Sequence, residues 1–493
     1  MESIRFERLK LILVYALMAA CAVQVAIIWN DGLHGFPARF FFGENAVVLA
    51  GEARFESERE MLAPVSLHIT YDGHGDRREV RAWGEALSLA WSGVRGILRS
   101  SVGRAPDEVL GASKWPAITK AKGMAFRYGF EVPSELFLWS LGISGSYRDV
   151  IPGVREVFLR LDGAGRRGAS VFLLGGGEAY RYDVVLTADE MAELDWLWLS
   201  LNAEADPVLL SSVSSYFPTS SFGGDIYTCF YGQGEISLVG MTVPLSNALR
   251  IGGCVALVPD ALSRGGLRSP EGVGALADAI LRDDQDSYVR SIDPKGDRLE
   301  LKTQNDIYRV YADGAISYRY ISGERGEAMG SMVLAYEKAM RMMGRLAALS
   351  DGVYMRLVGA EAMKGSTGDY YEFKFGYYHV GDGIRVSGDG LEAIALARSS
   401  GVMVASYRCV SVRQADAGAI YDVSYSAMMD GAAASIGPFF GGAAVERLYL
   451  THRVIVGPVE GGHGVDYVPG PHWALEDKAG RTLLTPVAEA TAP

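Results

Sequence analysis

The feature that most constrains this chain is an uncharged apolar run near its start. Leu11 to Trp29 reads LILVYALMAACAVQVAIIW, with Gln24 its only strongly polar side chain. At about 1.5 Å of rise per residue, an α-helix of this length spans roughly the 30 Å hydrocarbon core of a bilayer. Arg5, Arg8 and Lys10 precede the run, and Asn30 and Asp31 follow it. The positive flank is expected to stay in the cytoplasm, which sends residues 31 to 493 outward, while Trp29 suits the headgroup belt. Two processed forms remain open. Ala20-Cys21-Ala22 fits a signal-peptidase site, and Met18-Ala19-Ala20-Cys21 is a poor lipobox with Met where Leu is preferred. Both would cut inside a run that continues through Ile28, so an uncleaved anchor is the reading carried forward, and all three forms export the protein.

Beyond the anchor, 49% hydrophobic and 22% charged residues describe a globular chain and not a disordered one. The net charge of −12 and the lack of a Lys/Arg cluster argue against nucleic acid as a partner. Cys229, Cys254 and Cys409 are the cysteines beyond the anchor; their spacing fits neither a disulfide framework nor a zinc site. A single Cys229–Cys254 bridge and three buried thiols both stay open.

Helical and strand patterns alternate irregularly, which predicts an α+β fold. Pro64 to Tyr71 reads as a strand, and Ala82 to Leu98 as a helix with Trp83, Leu87, Trp91, Val94 and Leu98 on one face. Met124 to Phe130 is a strand, with a short helix after Pro133 at a first-turn position. Strands at Val154 to Leu161, Ala169 to Leu174 and Tyr180 to Leu186 lead into Thr187-Ala188-Asp189-Glu190, a capping box for a helix bearing Met191, Leu194, Trp198 and Leu201. Asp206-Pro207 and the serines that follow look like a junction.

Later segments pair one helix with following antiparallel strands. Gly272 to Arg282 is a helix, and Asp306 to Tyr311 with Ala315 to Ile321 forms a hairpin. Glu327 to Leu346 is a helix with Met329, Met332, Tyr336, Met340 and Met343 as an apolar stripe. Tyr371, Phe373, Phe375 and Tyr377 alternate as a half-buried strand, and Val402 to Arg413 reads as another. A helix at Ser424 to Ile436 precedes strands at Val445 to Val456 and around Trp473, with a last turn at Lys478-Ala479-Gly480. The expected units are an anchor at 1–30, an α+β domain at 31–206, a middle domain at 207–326, a helix-on-antiparallel-sheet domain at 327–487 and a disordered tail at 488–493.

Motifs that carry chemistry are sparse. Gly163-Ala164-Gly165-Arg166-Arg167-Gly168 matches G-x-G-x-x-G, but a strand follows it where a dinucleotide fingerprint needs a helix, so it reads as a hairpin turn. The seven histidines are scattered, with no H-E-x-x-H and no closely spaced pair for a metal, and His68, His74 and His379 read as structural or solvated. No G-x-S-x-G elbow presents a serine. Asp283-Asp284-Gln285-Asp286 lacks the glycine and distant glutamate of an EF-hand loop and reads as a solvated turn. No catalytic, cofactor or metal residue is assigned.

The C-terminal half does resemble a known family, in the order and kind of its segments. LADAILRDDQDSYVR from Leu276 is followed by IYRVYADGAISYRYI, the helix SMVLAYEKAMRMMG, the aromatic strand YYEFKFGYYHVGDGIRV, the strand GVMVASYRCVSVR and the ending VDYVPGPHWALEDKAGRTLL. Together these are similar to YycH (WalH), the extracytoplasmic regulator of the WalK (YycG) sensor histidine kinase, and the ending is shared with the paralogous YycI proteins. Where relatives commonly carry asparagine-glycine-tyrosine before the turn of the aromatic strand, this chain has His379-Val380-Gly381.

The resemblance implies a single transmembrane helix followed by extracytoplasmic domains of helices on antiparallel sheets, with helix-plus-hairpin units toward the C-terminus. It implies a regulator of a two-component system controlling the cell wall, no enzyme and no cofactor, with a sensor histidine kinase and a YycI-like single-pass protein as partners and lipid around the anchor. Small residues allow close helix approach in membranes, so Ala16, Ala19, Ala20, Ala22 and Ala26 form the candidate packing face. The rival readings are an extracytoplasmic envelope enzyme and a ligand-binding or protease-modulating module.

Overall fold

Strand pairing dominates the computed structural model, which describes residues 62–488 apart from 63, 71–76, 81–84, 144–150, 162–167, 205–207, 213–226, 230–241, 245–247, 252–253, 282–287, 322–328, 366–367, 381–383, 389–390, 392, 415–418, 423–424, 442, 444, 455, 458–469 and 478–480. All of them belong to one unit, 51–493. The first sheet holds β1 (Ser66–Thr70), β2 (Arg77–Val80), β3 (Glu108–Gly111), β4 (Gly123–Pro133), β5 (Gly153–Leu161), β6 (Gly168–Gly175), β7 (Glu178–Val185), β8 (Val208–Ser212), β9 (Tyr227–Cys229) and β10 (Thr242–Pro244). Their order is β10-β9-β8-β2-β1-β4-β5-β6-β7-β3, so the sheet continues past the expected junction at residues 206–207.

Four helices accompany it: α1 (Glu85–Ser101), the short α2 (Trp115–Ile118), α3 (Ser134–Ser140) and α4 (Ala188–Glu204). Leu87, Trp91, Val94 and Leu98 of α1 are all buried, as their helical spacing predicts. The capping box is formed: the Thr187 N–H donates to Glu190 Oε2 at 2.8 Å, and the Glu190 N–H donates to Thr187 Oγ1 at 3.2 Å. Pro133 departs from expectation. Instead of opening the first turn of α3 it is the extended N-cap, with φ −52 and ψ 137. Its fixed φ ends β4 and turns the chain into the helix. The β6–β7 turn is glycine at Gly176 and Gly177, with φ of +60 and +82, the left-handed pair that a two-residue hairpin requires. Most of the segment read as a glycine-rich turn at Gly163 to Gly168 lies outside the described residues; the strands on either side of it, β5 and β6, pair antiparallel.

Next in the chain come β11 (Ala248–Ile251), β12 (Cys254–Leu257), α5 (Arg264–Arg268) and α6 (Pro270–Leu281). A second large sheet then begins with β13 (Val289–Ile292), β14 (Arg298–Lys302), β15 (Asp306–Tyr311) and β16 (Ala315–Tyr320). After α7 (Met332–Ala347) it takes in β17 (Val353–Met363), β18 (Tyr370–His379), β19 (Arg385–Ser387), β20 (Ala393–Arg398) and β21 (Gly401–Arg408). The chain ends with β22 (Ser411–Gln414), β23 (Ala419–Asp422), α8 (Tyr425–Phe440), β24 (Val445–Arg453), β25 (Val456–Gly457), β26 (Pro471–Asp477) and β27 (Thr482–Pro486). The order is β13-β14-β15-β16-β21-β20-β18-β19-β24-β26-β27, with β17 also on β18. This sheet crosses residues 326–327. Most pairs are antiparallel; β9–β10, β12–β25 and β19–β24 are parallel.

Two local expectations are corrected. The helix expected from Glu327 starts at Met332, because Gly330 has φ +68 and Ser331 is extended. The single strand expected from Val402 to Arg413 breaks at Cys409-Val410 into β21 and β22, which lie in different sheets. Bonds to residues far away in the chain hold that break. The Cys409 N–H donates to the Gly314 carbonyl at 2.8 Å, and the Val410 N–H donates to Ser350 Oγ at 3.1 Å.

The two large sheets share one buried core, running from Leu62 to Val454. α3 meets α7 at its centre. Trp139 stands edge-on to Tyr336 at 5.8 Å, Tyr336 leans on Phe373 at 5.6 Å, and Ser331 Oγ donates to Glu135 Oε1 at 2.6 Å. A second core gathers α8 against β24, β26 and β27, with Met428, Phe440, Leu448 and Trp473 buried in it. Fold and sequence thus agree on an α+β protein of helices laid on mainly antiparallel sheets.

Candidate functional site

The residues singled out as the anchor and its packing face, Ala16, Ala19, Ala20, Ala22 and Ala26, lie outside the described residues, as do Arg5, Arg8, Lys10 and Trp29. Among the described residues no helix is long and apolar enough to cross a membrane. The acidic run Asp283 to Asp286 is also outside them. The methionine stripe of α7 is core: Met332, Tyr336, Met340 and Met343 are buried, and Met329 packs partly buried against them.

What the structure does bring together is a thiol and two imidazoles. Cys254 opens β12, His379 ends β18 and His452 lies near the end of β24. One ligand atom from each lies within 4.8 Å of the other two, and all three residues are buried. The two imidazoles meet edge to face, 5.5 Å between centroids. β19 sets the two histidines at this spacing. The His379 N–H donates to the Ile384 carbonyl just before β19, and His452 pairs with Val386 within it. Cys254 arrives from the small sheet β22-β12-β25, two of whose strands prolong the chain of β21 and β24. Cys254 is not disulfide-bonded, which sets aside a Cys229–Cys254 bridge; Cys409 is also a buried thiol, and burial pushes it up to about 12.

Next to this cluster on β19 is a half-buried cation. The Arg385 guanidinium donates to Tyr449 Oη at 2.7 Å, lies 4.8 Å over that ring and stands 3.6 Å from Glu476. Burial opposes its charge, but Tyr449, Tyr378 and Glu476 around it outweigh that and hold it firmly protonated. Tyr449 Oη in turn donates to Glu476 Oε2 at 3.2 Å. In the first sheet Arg127 pairs with Glu156 at 3.2 Å with both side chains nearly inaccessible. The first group bridges β19, β24 and β26, and the second bridges the paired strands β4 and β5.

Sequence spacing missed the Cys254, His379 and His452 cluster. Its members come from three strands far apart in the chain, and only the register of β18, β19 and β24 makes them neighbours. No local signal in the sequence marks them. The remaining described histidines stay apart from it: His68 is buried in β1, and His472 Nδ1 lies 2.8 Å from the Gly470 carbonyl, with burial holding its pKa below the usual value.

No protein-family model matches the sequence, and no curated protein matches it. The fold is similar to the crystal structure of YycH from Bacillus subtilis, with a TM-score of 0.52 and 9% identity, over 87% of this chain and 96% of that chain. The similarity takes in both large sheets, since it spans far more than the C-terminal segments that carry the resemblance in sequence. The protein has a YycH-like fold.

Proposed function

We propose that this protein is a membrane-anchored extracytoplasmic accessory protein that regulates a two-component sensor histidine kinase controlling cell-wall metabolism. The observation that carries the reading is the YycH-like architecture over 87% of the chain, together with the Leu11 to Trp29 run and its positive N-terminal flank. On this reading the N-terminus is cytoplasmic, and the sheets described above stand on the far side of the membrane. The partners are the kinase and a YycI-like single-pass protein.

A sensor kinase switches between packings of its membrane helices, and a bound helix favours one packing by its differential contact energy. A preference of only about 1.4 kcal/mol changes the ratio of the two states tenfold. Ala16, Ala19, Ala20, Ala22 and Ala26 offer the close-approach face for that contact.

The test is crosslinking in intact membranes from a photoreactive residue at Ala19 or Ala22. Capture of a histidine kinase or of a second single-pass protein is expected. Capture of lipid alone would sink the helix-packing mechanism. A chain lacking residues 1 to 30 is expected to fold but no longer regulate, and full regulation by that shortened chain would move the contact to the outer sheets.

A further inference from the structure

We infer that Cys254, His379 and His452 form a zinc(II) site that ties the small sheet carrying β12 to the second large sheet. The reading goes beyond regulation of a kinase and does not depend on it.

The donor set supports the ion. A cysteine thiolate and two neutral imidazoles are the sulfur and nitrogen ligands that zinc takes, whereas calcium and magnesium take oxygen. Distance supports it as well. With zinc–sulfur bonds of about 2.3 Å and zinc–nitrogen bonds of about 2.0–2.1 Å, tetrahedral ligand atoms stand roughly 3.3–3.6 Å apart. The three ligand atoms here lie within 4.8 Å of one another, so side-chain adjustments of roughly an ångström close the site around an ion. The Cys254 thiol proton leaves to solvent when the thiolate binds. Three protein ligands leave one coordination position that a water molecule would take.

Burial says what kind of site it is. Cys254 and His452 are each 1% exposed and His379 8%, so a substrate has no approach and the ion acts on the fold. The strands it would join have separate neighbours: β12 pairs with β22 and β25, while β18 and β24 belong to the large sheet through β19. An ion held by all three fixes their relative position. Backbone bonds already fix both histidines, the His379 N–H through the Ile384 carbonyl and His452 through its pairing with Val386 and Pro471.

The test uses the full chain, purified in detergent with a tag that binds no metal and without chelator. Elemental analysis is expected to find one zinc per chain. Replacing zinc with cobalt(II) is expected to give a thiolate-to-cobalt charge-transfer band in the near ultraviolet and the visible bands of a tetrahedral ion. Cys254→Ser should lose the charge-transfer band, while Cys409→Ser should keep it. Should Cys254→Ser fail to fold, X-ray absorption on the unaltered zinc protein decides the matter through its shell of one sulfur and two imidazole nitrogens. The proposal is overturned if the unaltered protein holds no metal and takes up no cobalt, if its absorption shell lacks sulfur, or if the cobalt band survives Cys254→Ser. Copper in place of zinc would overturn the zinc assignment.

Discussion

Two seams hold the described sheets and helices together, and they are built from opposite materials. Where α3 crosses α7, the contact is aromatic: Trp139, Tyr336 and Phe373 stack edge to face and tilted, with one hydrogen bond from Ser331 to Glu135 at its rim. Where β12 meets β18 and β24, the contact is a thiol against two imidazoles. The first seam is stabilised by removing apolar area from water and needs only complementary shape. The second buries polar atoms, which is costly unless something satisfies them. The contrast explains why an apolar seam can be anticipated from a helix stripe, while a seam of scattered polar side chains cannot.

The heaviest blow to that contrast is Tyr336→Ala. Tyr336 is fully buried between Trp139 and Phe373, so its loss is expected to cost about 3–5 kcal/mol. If both sheets depend on this seam, urea unfolding followed by fluorescence and by circular dichroism should shift in parallel. Loss of only one sheet's signal would mean that the sheets are stable separately.

Stripping the ion addresses the polar seam alone. Chelation is expected to speed amide exchange in β12 and β25 and leave that of α7 unchanged. Uniform acceleration would show instead that the cluster supports the whole core.

A smaller effect is expected far from both seams. Thr187→Ala removes the capping box of α4 and should cost about 1 kcal/mol, read as a shift in the urea midpoint. A cost as large as that of Tyr336→Ala would mean that α4 belongs to the central seam.

The smallest effect concerns acid. Arg104 donates two hydrogen bonds to Asp107, at 2.6 and 2.7 Å, and the Asp183 N–H donates a third. Those bonds hold the Asp107 carboxyl at about 2, below the ordinary carboxylate value of 3.8. A depressed carboxylate contributes stability that is present above the unfolded value and is lost as pH falls through the folded one. The window therefore runs from about pH 4 down to about pH 2. Because the pair is exposed, the loss should be small. Comparing acid unfolding of the unaltered protein with Asp107→Asn reads it, and identical profiles would remove Asp107 from the account.

Much of the fold was legible because its signals are local. Leu87, Trp91, Val94 and Leu98 recur at helical spacing, and Tyr371, Phe373, Phe375 and Tyr377 recur at strand spacing; the structure buries all eight. The Thr187–Glu190 box needs only residues within one turn, and it is formed. Errors arose where distant groups intervene or where a single residue takes a left-handed φ. The break at Cys409-Val410 is held by Gly314 and Ser350, and the late start of α7 follows a left-handed Gly330. β17 passed unread although Val353, Met355 and Leu357 alternate as buried residues and pair with β18 across one turn.

By itself, then, the sequence determined the apolar run at Leu11 to Trp29, the α+β character and the faces that helices and strands bury. Each of these follows from a period of two or about 3.6 residues along a short stretch. Only the tertiary structure decided that two large sheets share one core and that Cys254, His379 and His452 meet. The register that sets the two histidines beside each other comes from β19, which lies between β18 and β24 and pairs with both. Register is a property of strands brought together from far along the chain, and shifting a strand by one residue turns every side chain to the other face.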